Sequence, residues 1–332
     1  MRTCWAVLTV FLSVGGVAGQ PPAVVKVRTI GKDNYGRVTR AEFGSDPKLV
    51  YAVIGTVPAA YDLSTGEVRA EYKAFKNTFG PVVVLPKSGD LVRGFFQSVE
   101  ISGPADTTFA KVRLRCEDEV KGLAVSPDGK LVAGVVWKTN SVELWDVPAG
   151  KRLHVLRGSA GAVAGVAFSL DSKSLASVDT THAVTVWDVA TGKANRRLEA
   201  RPGRKGVGGG PLGYSPDGKT LYGPGAGATQ VVAWDPATGR KVWETDNPKK
   251  SLDGSGHEFD SLAVHPGGKY LVASTADGDG KTWVFLEAAG GKVIGEHKVS
   301  RRAGDGAPRF SPDGKWIALS TFHGIVEVYE VK

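Results

Sequence analysis

One short turn, Ser-Pro-Asp-Gly-Lys, constrains this chain more than any other feature. It stands at residues 126–130, 215–219 and 311–315, with drifted copies at 45–48, 86–90, 169–173 and 265–269. The chemistry is local: proline presets φ, aspartate caps the turn, and glycine takes the positive φ. Between the turns, apolar residues alternate with polar ones or run briefly together, as in strands of a stacked sheet. A second marker recurs in step, as Tyr61-Asp62, Ile101-Ser102, Trp145-Asp146, Trp187-Asp188, Trp234-Asp235, Phe285-Leu286 and Tyr329-Glu330. Hairpins such as Ala190-Thr191-Gly192-Lys193 follow it. From Tyr61 to Tyr329 the mean period is about 45 residues. A unit of that length cannot bury its sheet alone and must stack on its copies.

These residues resemble the WD-repeat family of β-propellers, whose units carry this turn, this Trp-Asp strand end and this period. The resemblance implies an all-β fold of four-stranded blades arranged radially around a channel. Seven copies give seven blades in a single propeller spanning residues 20–332, with six or eight as the alternatives because the second copy is weak. The family's Gly-His dipeptide, which supports an Asp-His-Trp hydrogen-bond network, is missing; Gly158-Ser159 stands at one such place. The chain therefore reads as a divergent relative, held more by apolar packing between blades than by that network. Ring closure is legible too. The last copy has only three strands, and an extra one stands at the front, 23–30 (AVVKVRTI). Pairing the two closes the ring and leaves no open edge.

The first 19 residues read as a secretory signal peptide. Arg2 precedes the apolar run 6–14, and the small residues Val17-Ala18-Gly19 lead into Gln20. The run is too short to span a bilayer. The expectation is an exported protein, periplasmic or extracellular, with no membrane span after cleavage. Of two cysteines, Cys4 leaves with the leader. Cys116, at the end of VRLRC, is then expected to be a half-buried, inert thiol.

Several motifs suggest chemistry and fall short of it. Asp277-Gly278-Asp279-Gly280 begins like a calcium loop, but Lys281 and Ala288 occupy positions that need ligands; a hairpin turn explains it. The glycine run 206–210 lacks the helix a phosphate cradle needs. The six histidines are scattered singly, and His257, Glu258 and Asp260 form the best grouping for a metal at the channel. No cofactor is expected.

The net charge is +8, and the connections between blades carry much of the basic excess. Arg157, Arg201, Arg204, Lys205, Lys249, Lys250, Arg301 and Arg302 all fall in such connections. Those connections open on one face, which makes these eight residues a candidate binding face for an acidic protein or an anionic polymer. Glu117, Asp118, Glu119, Asp253 and Asp305 lie in the same class of loops and dilute it. Export and the lack of interleaved aromatics argue against nucleic acid. The expected function is a non-enzymatic, monomeric scaffold binding through its loop-rich face. The alternative is a metal-dependent lactonase- or lyase-like enzyme, or a small-ligand protein, using the channel.

Overall fold

In each Ser-Pro-Asp-Gly turn the serine does as much as the proline and glycine. Ser126 is fully buried; its hydroxyl donates to Asp128 Oδ1 (2.6 Å) and accepts from the Leu131 N–H (2.9 Å). Asp128 Oδ1 also accepts from the Lys130 N–H (3.0 Å), and Gly129 takes φ +74°. Ser169, Ser215 and Ser311 repeat the arrangement. Where the glycine is lost, Ser172 is forced to φ +60°, a region non-glycine residues rarely enter.

The computed structural model describes residues 22–31, 41–54, 57–75, 80–105, 110–198, 212–225, 228–249, 257–276, 280–299, 307–321 and 324–332. These build seven four-stranded antiparallel sheets. Blade 1 comprises Ala41–Phe43, Leu49–Ile54, Val57–Asp62 and Val68–Glu71. Blade 2 comprises Val82–Val84, Leu91–Phe95, Ser98–Ser102 and Val112–Arg115. Blade 3 is Val120–Val125, Leu131–Val136, Ser141–Asp146 and Lys151–Leu156. Blade 4 is Val163–Phe168, Ser174–Asp179, Val184–Asp188 and Ala194–Leu198. Blade 5 follows with Gly213–Tyr214, Leu221–Pro224, Gln230–Trp234 and Lys241–Asp246. Blade 6 holds Phe259–Val264, Tyr270–Ala276, Lys281–Glu287 and Val293–Lys298. Blade 7 has Arg309–Phe310, Trp316–Ser320 and Val326–Val331, with Val24–Ile30 as its outer strand.

First strands of neighbouring blades touch one another, which sets them around the axis. Each of the seven seams, including that between blades 7 and 1, holds its own apolar cluster. Full burial of a large apolar side chain is worth about 1.5–3 kcal/mol, so the ring is held by its seams. This is the inter-blade packing expected from the sequence.

The clasp forms as expected. Val24 pairs with Val331 and Ile30 with Val326, and the Lys332 N–H donates to the Ala23 carbonyl (2.9 Å). Lys26 forms an ion pair with Glu327, which is almost fully buried. Glu327 stands two residues before Tyr329, and the same place in blade 3 is held by the buried Glu143. Arg152 of the outer strand meets Glu143 at 2.8 Å. In blade 2 it is held by Glu100, met by Arg113 at 2.6 Å.

The frame of two strand ends differs from the sequence expectation. In blades 1, 3, 4, 5 and 7 the marker residue (Tyr61, Trp145, Trp187, Trp234, Tyr329) packs against the preceding blade. Phe285 packs against the following blade, and Leu286 occupies the marker position opposite Leu271. In blade 2 Ile101 likewise faces blade 3, and Ser102 stands opposite Leu91. The blade 6 strand is apolar on both faces, so alternation does not reveal its register, and a one-residue slip exchanges the faces. The blade 2 strand alternates, and its apolar residues Val99 and Ile101 form the face toward blade 3.

Candidate functional site

In each blade the first and third turns lie at one end of the ring. The second turn and the connection to the next blade lie at the other. On that second, loop-bearing face two aromatic side chains stand out: Phe96 is 73% exposed and Trp137 53%. Both sit in second turns, of blades 2 and 3 respectively. They flank a single connection: the Phe96 carbonyl accepts from the Val120 N–H (3.3 Å), and the Trp137 N–H donates to the Glu119 carbonyl (3.0 Å).

Phe96 adopts φ +47°, a left-handed conformation that is a genuine outlier for a bulky residue. Such strain persists only where the surroundings over-determine it, and here they do. The Phe96 ring meets Phe95 edge-on (4.8 Å between centroids). The Arg93 guanidinium lies 4.4 Å from the Phe95 ring and 4.4 Å from the Phe75 ring. Arg93 is itself buried and held by Glu100, with Nε at 2.9 Å and Nη2 at 2.6 Å from Oε2. An exposed phenyl thus rests on a rigid stack anchored in the core.

Charge around the two rings cancels pairwise. Arg157 meets Glu117 (2.6 Å), Lys138 meets Asp118 (3.6 Å), and Lys121 meets Glu119 (2.7 Å) while standing 5.8 Å from the Trp137 ring. An apolar centre inside a balanced polar rim is the anatomy of a protein-binding patch. Farther round the face, the second turn of blade 4 is closed instead. Asp179 accepts from the N–H groups of Ala160, Gly161, Thr181 and Ala183 and from the Thr181 hydroxyl. Burial opposes its charge, but these bonds outweigh it and hold its pKa below the usual carboxylate range. Burial pushes the neighbouring His182 imidazole down, toward its neutral form.

Asp179 belongs to what remains of the network whose Gly-His is missing. Trp187 Nε1 donates to Ser177 Oγ (2.8 Å), both buried, while backbone N–H groups from 160–161 reach Asp179 directly. Residues 150–188 of the same region match the family WD domain, G-beta repeat. The chain is a seven-bladed β-propeller, and this stretch of it is similar to a WD repeat. It is also similar to Periodic tryptophan protein 2 of Arabidopsis thaliana, at 21% identity over 264 residues. That match covers 64% of this chain and 29% of the relative's length. The matched repeat begins at Gly150, in the turn just before the outer strand of blade 3, and ends at Asp188 of blade 4. The matched repeat is thus offset from the blades by one strand, in keeping with an N-terminal strand that completes the last blade.

Of the basic residues expected to form a binding face, Arg157 and Lys249 are described in this propeller. Each is ion-paired, Arg157 with Glu117 and Lys249 with Glu296 (2.5 Å). Arg201, Arg204, Lys205, Lys250, Arg301 and Arg302 lie outside the described residues, as do residues 206–210 and 277–279. In the channel grouping, Asp260 is taken by Lys281 (2.5 Å) and the His257 carbonyl accepts from Asn247 Nδ2 (2.8 Å). Among the described residues no three His, Cys, Asp or Glu side chains gather as a metal site. Cys116 is half-buried, and burial pushes its thiol up to about 12, far from the thiolate a nucleophile needs.

Proposed function

We propose that this propeller is a non-catalytic scaffold, exported from the cytoplasm, that holds a protein partner on its loop face through Phe96 and Trp137. The carrying observation is the exposure of both rings on one connection, one of them on a strained backbone braced from below. Tryptophan and other large aromatics dominate binding energy at protein interfaces, whereas a contiguous exposed apolar patch without a partner is a liability. WD-repeat propellers are protein-interaction scaffolds in general, so the fold and the patch point the same way. Export rests on the basic, apolar and small-residue order of residues 1–19. The basic residues written into the sequence after blades 4, 5 and 6 favour a partner surface with acidic character.

Photo-crosslinking tests this reading. With p-benzoylphenylalanine replacing Lys138, the full chain in native cell-envelope material is expected to give a discrete protein adduct. Phe96→Ala with Trp137→Ala is expected to abolish it. An adduct that survives both alanines, or none at all, overturns the proposal.

A further inference from the structure

At the end of the ring opposite Phe96, neighbouring blades meet through their first turns. Gly129 of blade 3 faces the Pro86 ring of blade 2, and Ser172 of blade 4 accepts from the Asp128 N–H of blade 3 (3.4 Å). Gly268 of blade 6 stands against Pro216 of blade 5, and Gly314 of blade 7 against His265 of blade 6. The seam between blades 4 and 5 breaks this pattern. A side-chain carbon at Gly218 would meet nothing within 4 Å, and a cleft of about 1000 Å³ opens beside it. Leu170 takes the place held by proline in the best-formed turns, lines the cleft, and is 55% exposed.

The cleft carries acceptors that the protein leaves unused. Asp171 and Asp217 each commit Oδ1 to their own turn, taking a serine hydroxyl and a lysine N–H. Neither Oδ2 has a protein partner among the described residues. The Tyr214 hydroxyl is buried at the wall without a hydrogen-bond partner. Asp235 adds a third carboxylate, against Arg196 and Lys219, so the lining is negative within a chain of net charge +8. Arg196 lays its stem across Gly239 of the next hairpin.

We propose that this cleft docks a lysine or arginine side chain presented by an extended segment of a protein partner. An ammonium or guanidinium brings donors and no acceptor, which suits the two free carboxylate oxygens. Pro216, Pro236 and Ala237 offer apolar wall to the aliphatic stem, and Leu170 offers contact to an apolar neighbour of the cation. An anionic group would face carboxylates whose own turn bonds keep them ionised. The Ser169 hydroxyl and Lys173 N–H hold Asp171 low, and the Ser215 hydroxyl and Lys219 N–H hold Asp217 low.

The probes are acetyl-Leu-Lys-Leu-amide and acetyl-Leu-Glu-Leu-amide, titrated into the ¹⁵N-labelled full protein and followed by amide NMR. The lysine peptide is expected to shift the amides of Asp171, Gly218 and Ala237 saturably, and the glutamate peptide to leave them in place. Asp171→Asn with Asp217→Asn keeps an oxygen for each turn and is expected to weaken binding at least tenfold. Leu170→Ser, at an exposed position that folding does not need, is expected to weaken it several-fold. Phe96→Ala with Trp137→Ala is expected to bind the peptide as the parent does, which separates this site from the loop face. Equal response to both peptides, no shift at those amides, or full binding by the asparagine and serine variants overturns the proposal.

Discussion

Trp187 donates its indole N–H to Ser177 Oγ at 2.8 Å, whereas Trp145, one blade earlier, has Gly134 at the place of that serine. Trp145 is fully buried and its Nε1 has no hydrogen-bond partner among the described residues. A carbon on Gly134 would stand 2.8 Å from Trp145 Cζ3, so the ring has moved into the space the missing side chain leaves. Two blades of one ring thus solve the same position differently, one by a hydrogen bond and one by packing.

Opposite substitutions are therefore expected to do harm in the two blades. Ser177→Ala strips the buried indole of its acceptor and is expected to cost about 1–3 kcal/mol. Gly134→Ser, which supplies a hydroxyl in name, drives a carbon into a ring with no room to retreat and costs a similar amount. Denaturant midpoints of both variants check this; a stabilised Gly134→Ser would show that Trp145 lacks only an acceptor.

The clasp makes a prediction about charge. Removing Lys26 leaves Glu327 buried without the cation that balances it, though it still accepts from the Tyr329 hydroxyl (2.8 Å). Lys26 is 43% exposed, so Lys26→Met is expected to cost about 1–3 kcal/mol, below the range for a fully buried pair. Adding Glu327→Gln removes the uncompensated charge and should recover much of the loss, a coupling read from a double-mutant cycle. Additive losses would mean that the two groups do not interact across the closure.

Acid should weaken the ring through its turns. The Thr191 hydroxyl and N–H hold Asp188 below its ordinary pKa, the Thr238 hydroxyl and N–H do so for Asp235, and the Ser215 and Lys219 groups for Asp217. A carboxylate with a depressed folded pKa contributes stability that is present above its unfolded value, about 3.9. That contribution is lost as pH falls toward the folded value. Urea midpoints are expected to hold steady near pH 6 and to fall below pH 4. A midpoint unchanged at pH 3 would contradict these turn bonds.

Much of the fold was legible because each turn demands particular residues. Proline and glycine at 127 and 129 leave the backbone few options, and the three-strand final repeat asks for the strand at 24–30. What escaped was register where both faces of a strand are apolar, as at Phe285-Leu286. The site was harder still. Phe95-Phe96-Gln97 reads as the end of a strand, and nothing local says that one ring turns inward and the next outward. The available signal was placement: a large aromatic in each of two consecutive second turns, where small polar residues are usual. The basic residues were visible because charge is written in the sequence, while the carboxylates that neutralise Arg157 and Lys249 are fixed by the fold.

The most direct test is calorimetric titration of the protein captured on the loop face into parent and Phe96→Ala/Trp137→Ala chains, each at low and high salt. If the two rings carry the interface, the double variant loses at least 2 kcal/mol, about 30-fold in Kd, and salt changes the parent's affinity little. An unchanged Kd in the double variant, with affinity that collapses as salt rises, would contradict an aromatic interface and place binding on the basic connections instead.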